Sequence, residues 1–179
     1  MSFRFPYVSL DIETTGVDKQ KSHVLQLAAV YDNGDSLKSL QTFTRIIKWK
    51  KINHGEEYAM NLNKTLLSKT RDEPGVTSVI QARQDFSNWL DRVQPKGKLT
   101  AAGKNVAGFD LPILQNNVNK FYLRRFLVRC LDPGSMYSTD FNHIPSLNEI
   151  NTLLNRKAVS HDALEDAWDV VHAIRYKWL

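Results

Sequence analysis

Three strand-like runs crowd into the first fifty residues, and this order limits the folds open to the chain more than any other feature. Residues 6–13 read as one strand and HVLQLAAVYD (23–32) as a second, apolar one. LKSLQTFTRIIKW (37–49) reads as a third, rich in β-branched and aromatic residues. Beyond them strands alternate with helices. A helix is expected over 56–68. Another is expected over VTSVIQARQDFSNWLDRV (76–93), where Val79, Ala82, Phe86, Trp89, Leu90 and Val93 recur at helical spacing. KLTAAGKN (98–105) reads as a short strand. Proline fits only the first turn of a helix, so Pro112 places a helix start within 108–111 and its end near Val118. RRFLVRCLD (124–132) reads as a fifth strand, 133–145 as a long polar connection expected to be mobile, and 146–154 and 162–177 as two closing helices. Strands first and alternation afterwards predict an α/β chain with a mixed five-stranded sheet flanked by helices.

The 179 residues suit one domain spanning 1–179, with no internal repeat and no low-complexity linker to divide it. No stretch approaches a membrane span, and the N-terminus carries no long apolar segment of the signal-peptide kind. A single cysteine, Cys130, rules out an internal disulfide and suits a reducing, intracellular (cytoplasmic) setting. Lys and Arg total 24 against 19 Asp and Glu, a net +5 that permits a polyanionic partner without demanding one.

Within SLDIETTG (9–16) two acids stand one residue apart in an apolar run. Along a strand Val8, Leu10 and Ile12 face one way and Asp11 and Glu13 the other, with about 6.5 Å between the two Cα atoms. Unpaired, partly buried like charges are costly. Either something positive sits over them, an Arg, a Lys or a metal ion, or the strand ends at Asp11 and both acids lie in a solvated turn.

Further acids bear on that choice. Asp110, in KNVAGFDLPIL, falls at a helix N-terminus just after a strand. Capping accounts for it, but the carboxyl end of a strand is also where α/β sheets build sites. In SHDALEDAWDVVHAI, Asp162 and Glu165 resemble a capping box, starting a helix at about Ala163. Ala163, Ala167, Val170, Val171 and Ile174 then form the buried stripe, and Asp166 lies on its flank beside His161.

DIETTG, NVAGFD and HDALED, in that order, resemble the three motifs of the DEDDh, or DnaQ-like, 3′–5′ exonucleases, with histidine five residues before the final aspartate. VLQLAAVY and PSLNEINTLL are similar to the family in between. The resemblance implies a ribonuclease-H-like fold and a metal-dependent 3′–5′ exonuclease that releases 5′-mononucleotides. It implies that Asp11, Glu13, Asp110 and Asp166 hold two Mg²⁺ or Mn²⁺ ions and that His161 is the general base. All-oxygen carboxylate ligands suit such hard cations.

The same resemblance maps substrate contacts to Thr14, Thr15 and Gly16, to Met60 and Asn61 as a wedge on the terminal base, and to Phe109 beside them. Ordinary helix packing is the other account of Met60. Aromatic and basic residues alternate in RIIKWKK (45–51) and KFYLRRF (120–126), either tracking a nucleic-acid strand or marking strand faces with Trp49 and Phe126 in the core. Lys104 stands where relatives often carry histidine. The chain ends soon after the third motif, which suits a free-standing trimming enzyme or a subunit that borrows its grip from a polymerase or from a second copy. Single-stranded DNA 3′ ends are the favoured substrate; RNA or oligoribonucleotide trimming and an inactive nucleic-acid-binding module are the alternatives. A glycosidase using Asp11 and Glu13 would leave Asp110, His161 and Asp166 without a role.

Overall fold

The computed structural model describes residues 5–117 and 122–178. Strand β1 (Tyr7–Thr14) pairs antiparallel with β2 (Val24–Asp32), and β2 pairs antiparallel with β3 (Gln41–Ile47). Two short strands complete the sheet in parallel: β4 (Val76–Thr77) beside β3, and β5 (Thr100–Ala102) beside β1. The order is β4-β3-β2-β1-β5, so β1 and β2 are central. This is the mixed five-stranded sheet flanked by helices that the element order predicts.

Period-two alternation divides the core. Val8, Leu10 and Ile12 of β1 join Leu27 and Ala29 of β2 against α3 (Val79–Val93), whose Phe86, Trp89 and Leu90 are buried. Full burial of a side chain such as Phe86 contributes about 1.5–3 kcal/mol. On the opposite face Tyr7, Val30 and Ala102 meet Ala167, Val170, Val171 and Ile174 of α8 (Ala163–Trp178). Asp11 and Glu13 therefore project towards α8.

The sequence expectations differ from the fold at identifiable points. The expected helix over 56–68 is two pieces, α1 (Glu57–Leu62) and α2 (Lys64–Ser68). The third strand begins only at Gln41, because residues Leu37–Ser39 form a 3-10 turn. Residues 76–77 belong to the sheet, since Ser78 caps α3 by accepting the Gln81 N–H. The expected strand over 124–132 is a correction: a 3-10 turn occupies Tyr122–Arg125, and isolated bridges, Leu99 to Phe126 and Ala102 to Leu131, join the rest of the segment to the sheet. Phe126 turns inward as expected, whereas Val128 is 96% exposed and packs on nothing that would hold a strand. β4 is the fifth strand instead. Residues 133–145 are no open loop either. Asp132 accepts the N–H groups of Gly134 and Ser135 and starts α5 (Pro133–Met136), followed by α6 (Ser138–Phe141) and α7 (Leu147–Leu153). α4 (Asp110–Asn117) starts where Pro112 requires, while its expected end at Val118 and residues 120–121 lie outside the described residues. Among the described residues no helix is long and apolar enough to cross a membrane.

Candidate active site

The site is built where β1 ends. Glu13, one residue before the strand terminus, is 7% exposed, and one of its carboxylate oxygens lies with ligand atoms of His161 and Asp166, all within 4.8 Å of one another. Asp166 occupies the first turn of α8, is 7% exposed, and accepts the Ser160 N–H at 3.2 Å. His161 is exposed and takes a left-handed backbone (φ 57°), which turns the chain into α8. Asp162 follows as the helix cap, its Oδ1 accepting from Leu164 N (3.0 Å) and Glu165 N (3.2 Å).

Asp11 and Asp110 stand outside that trio but within its field. Asp110 is 3% exposed at the start of α4, where the nearby Ile12 N–H favours its charged form. Burial pushes its carboxyl up to about 8, with the charge of Glu13 adding to the rise. Burial likewise raises Asp11 well above the usual carboxylate range, and repulsion from Asp110, Asp166, Glu13 and Asp162 adds to it. Glu13 is pushed up to about 7 by burial and by Asp166 and Asp162, against a hydrogen bond from the Asn63 amide that favours its charged form. Asp166 is raised by burial too, offset in part by the Ser160 N–H and by His161. Four carboxyls crowded this way match the chemistry of divalent cations, which take oxygen donors and would relieve the repulsion.

The turn after β1 is largely satisfied by its own groups. Thr14 Oγ1 donates to Gly16 O (2.7 Å), Thr15 Oγ1 accepts His23 N–H (2.9 Å), and Thr15 O accepts Glu56 N–H (2.7 Å). Glu56 then closes the turn with its carboxylate, which accepts Val17 N–H (2.9 Å) and Asp18 N–H (3.3 Å). Met60 is half-buried against Gly55, Asn61 is exposed, and Phe109 is half-buried against the α3-side core. Trp49 packs partly into that core and donates from Nε1 to Val24 O (2.7 Å). Lys104 lies 3.9 Å from Asp132, and Asp132 also accepts the Asn105 N–H (2.9 Å).

Three supporting residues escaped the sequence reading. Asn63, 3% exposed, donates to Thr14 O (3.1 Å), and its amide favours the charged form of Glu13. Glu56 holds the turn. Gln26, buried in β2, reaches the start of α8. For Gln26 the signal was available: a lone amide in VLQLAAV has to find a partner.

The RNase_T exonuclease family model matches residues 8–172, a span that takes in every one of these acids and His161. The chain belongs to the RNase_T exonuclease family. It is thereby a DnaQ-like member of the ribonuclease-H-like superfamily. No curated protein gives a significant match. Among solved structures, this RNase_T chain resembles exonuclease I from Methylocaldum szegediense (TM-score 0.69, 16% identity) over 96% of its own length and 40% of that chain. It also resembles E. coli exonuclease I in a zinc-bound complex with single-stranded DNA (TM-score 0.71, 14% identity; 97% and 40% covered). A third likeness is to cell-death related nuclease 4 (TM-score 0.66, 12% identity; 96% and 62% covered). The chain thus spans less than two thirds of each of these proteins, and at such identities the shared property is the fold.

Proposed function

We propose that residues 1–179 act as one exonuclease domain that hydrolyses phosphodiester bonds from the 3′ end of single-stranded nucleic acid, DNA in preference, releasing 5′-mononucleotides. The observation that carries this proposal is the approach of Glu13, His161 and Asp166 to within 4.8 Å, flanked by Asp11 and Asp110. The donor set fits a pair of Mg²⁺ or Mn²⁺ ions held by Asp11, Glu13, Asp110 and Asp166. Bound there, such ions supply charge neutralisation for phosphoryl transfer and lower the pKa of water. His161, exposed at the mouth of the site, takes the proton from the attacking water. Thr14, Thr15 and Gly16 shape the floor for the terminal nucleotide, and Met60, Asn61 and Phe109 border it. Solved relatives in the exonuclease I group hold single-stranded oligonucleotides, which supports a single-stranded substrate.

End-labelled single-stranded DNA and RNA, incubated with Mg²⁺, Mn²⁺ or EDTA, test this reading. A ladder that shortens from the 3′ end, is lost in EDTA and runs faster on DNA is expected. Shortening from the 5′ end, or cleavage of a circular strand, would overturn it.

A further inference from the structure

Gln26 lies directly across from Glu13 in the β1–β2 ladder, so the two side chains share the face turned towards α8. It is 4% exposed, and both ends of its amide are used. Nε2 donates to Asp162 Oδ2 at 3.0 Å, and Oε1 accepts Ala163 N–H at 3.3 Å. The other Asp162 oxygen caps α8 through Leu164 and Glu165 N–H. One side chain of the sheet therefore grips the cap of the helix and its first N–H together. His161 immediately precedes the gripped residues, and Asp166 follows one turn later.

We infer that Gln26 is a positioning residue, a latch between β2 and α8 that sets how closely His161 and Asp166 approach Glu13. An amide of this length meets both demands, because one end donates to a carboxylate and the other accepts from a backbone N–H. A carboxylate at position 26 would face the Asp162 carboxylate, and an apolar side chain would leave Asp162 Oδ2 and Ala163 N–H without this partner. Placement errors of about 1 Å in a site of this kind cost about 100-fold in rate.

The catalytic readout of this inference rests on the exonuclease proposal, so Mn²⁺ affinity without nucleic acid is measured beside it. Wild type, Gln26→Glu, Asp162→Asn and the double variant form the set, because in the double variant amide and carboxylate trade places and the hydrogen bond between them reforms. Gln26→Glu is expected to lower kcat about 100-fold with a much smaller change in KM, and to weaken Mn²⁺ binding. The double variant is expected to recover most of both. Equal deficits in the Gln26→Glu single and the double variant, or wild-type kcat and Mn²⁺ affinity in Gln26→Glu, would overturn the latch. Gln26→Met, which adds no charge, gives the same comparison should Gln26→Glu not fold, and faster exchange of the Ala163 amide in it reads the latch directly. A wild-type protein that binds Mn²⁺ yet cleaves nothing would remove the exonuclease proposal while leaving the latch to be judged on affinity and exchange.

Discussion

Glu13 meets opposing demands. Burial and two neighbouring aspartates raise its carboxyl to about 7, while the Asn63 amide favours its charged form. His161 differs in kind, being exposed and carried on a left-handed stretch of backbone. Replacing it should remove proton transfer and little else: His161→Ala is expected to lower kcat by about 100- to 10,000-fold, with Mn²⁺ affinity close to wild type by calorimetry. Asp11→Ala is expected to cost more activity and to weaken Mn²⁺ binding as well; near-wild-type hydrolysis in that variant would defeat the carboxylate cage. At this scale the convergence of Glu13, His161 and Asp166 was legible because short motifs carry them. Asn63 was not, and of Gln26 only the need for some partner was, because a buried amide declares which partner it takes only when that partner arrives from a distant segment, Thr14 for one and Asp162 for the other.

Among the elements, the turn joining β1 to β2 depends on a contact outside itself. A Cβ at Gly16 would lie 2.6 Å from Glu56 Oε1, the oxygen that accepts Val17 and Asp18 N–H. Gly16→Ala should therefore expel that carboxylate and cost about 1 kcal/mol in urea unfolding, the scale of a lost hydrogen bond. Since Glu56→Ala removes the same contact, the two losses should not add in the double variant; additive losses would show that Gly16 acts otherwise. Elements with a sustained period were legible in the sequence: β1, β2, α3 and α8 stand where their apolar spacing puts them. Irregular pieces were not. Residues 124–132 carry β-type composition, but Val128 stays in solvent, so composition promised packing that the fold does not provide. The start of α5 had a readable signal, Asp132 before Pro133 at the first helical position, in a stretch whose length and polarity suggest a loop.

Across the whole molecule α8 is fastened to the sheet at both ends. Gln26 holds its start, and near its end Arg175 donates to both oxygens of the fully buried Asp32 (2.8 and 2.6 Å), which also accepts the Tyr7 hydroxyl (2.7 Å). The helix that brings Asp166 to Glu13 is thus tied to β2 by polar contacts as well as by its apolar stripe. Against this framework the crowded carboxyls act as a pH-dependent load. Glu13 rises from 4.5 to about 7 and Asp110 from 3.8 to about 8, with Asp11 and Asp166 raised too. Between the unfolded and folded values the native chain binds more protons than the unfolded one. Their contribution to stability is therefore present in full below about pH 4, and it is lost as pH rises towards about 8.

Thermal unfolding across that pH range, in EDTA and in Mn²⁺, measures most directly whether these acids gather to hold cations. In EDTA the Tm should fall as pH rises through the folded-state values. Saturating Mn²⁺ should raise the Tm most at the alkaline end, where a hundredfold excess over Kd adds about 2.7 kcal/mol of stability, and should not do so in Asp11→Ala. A wild-type Tm at about pH 8 that Mn²⁺ leaves unmoved would contradict the account.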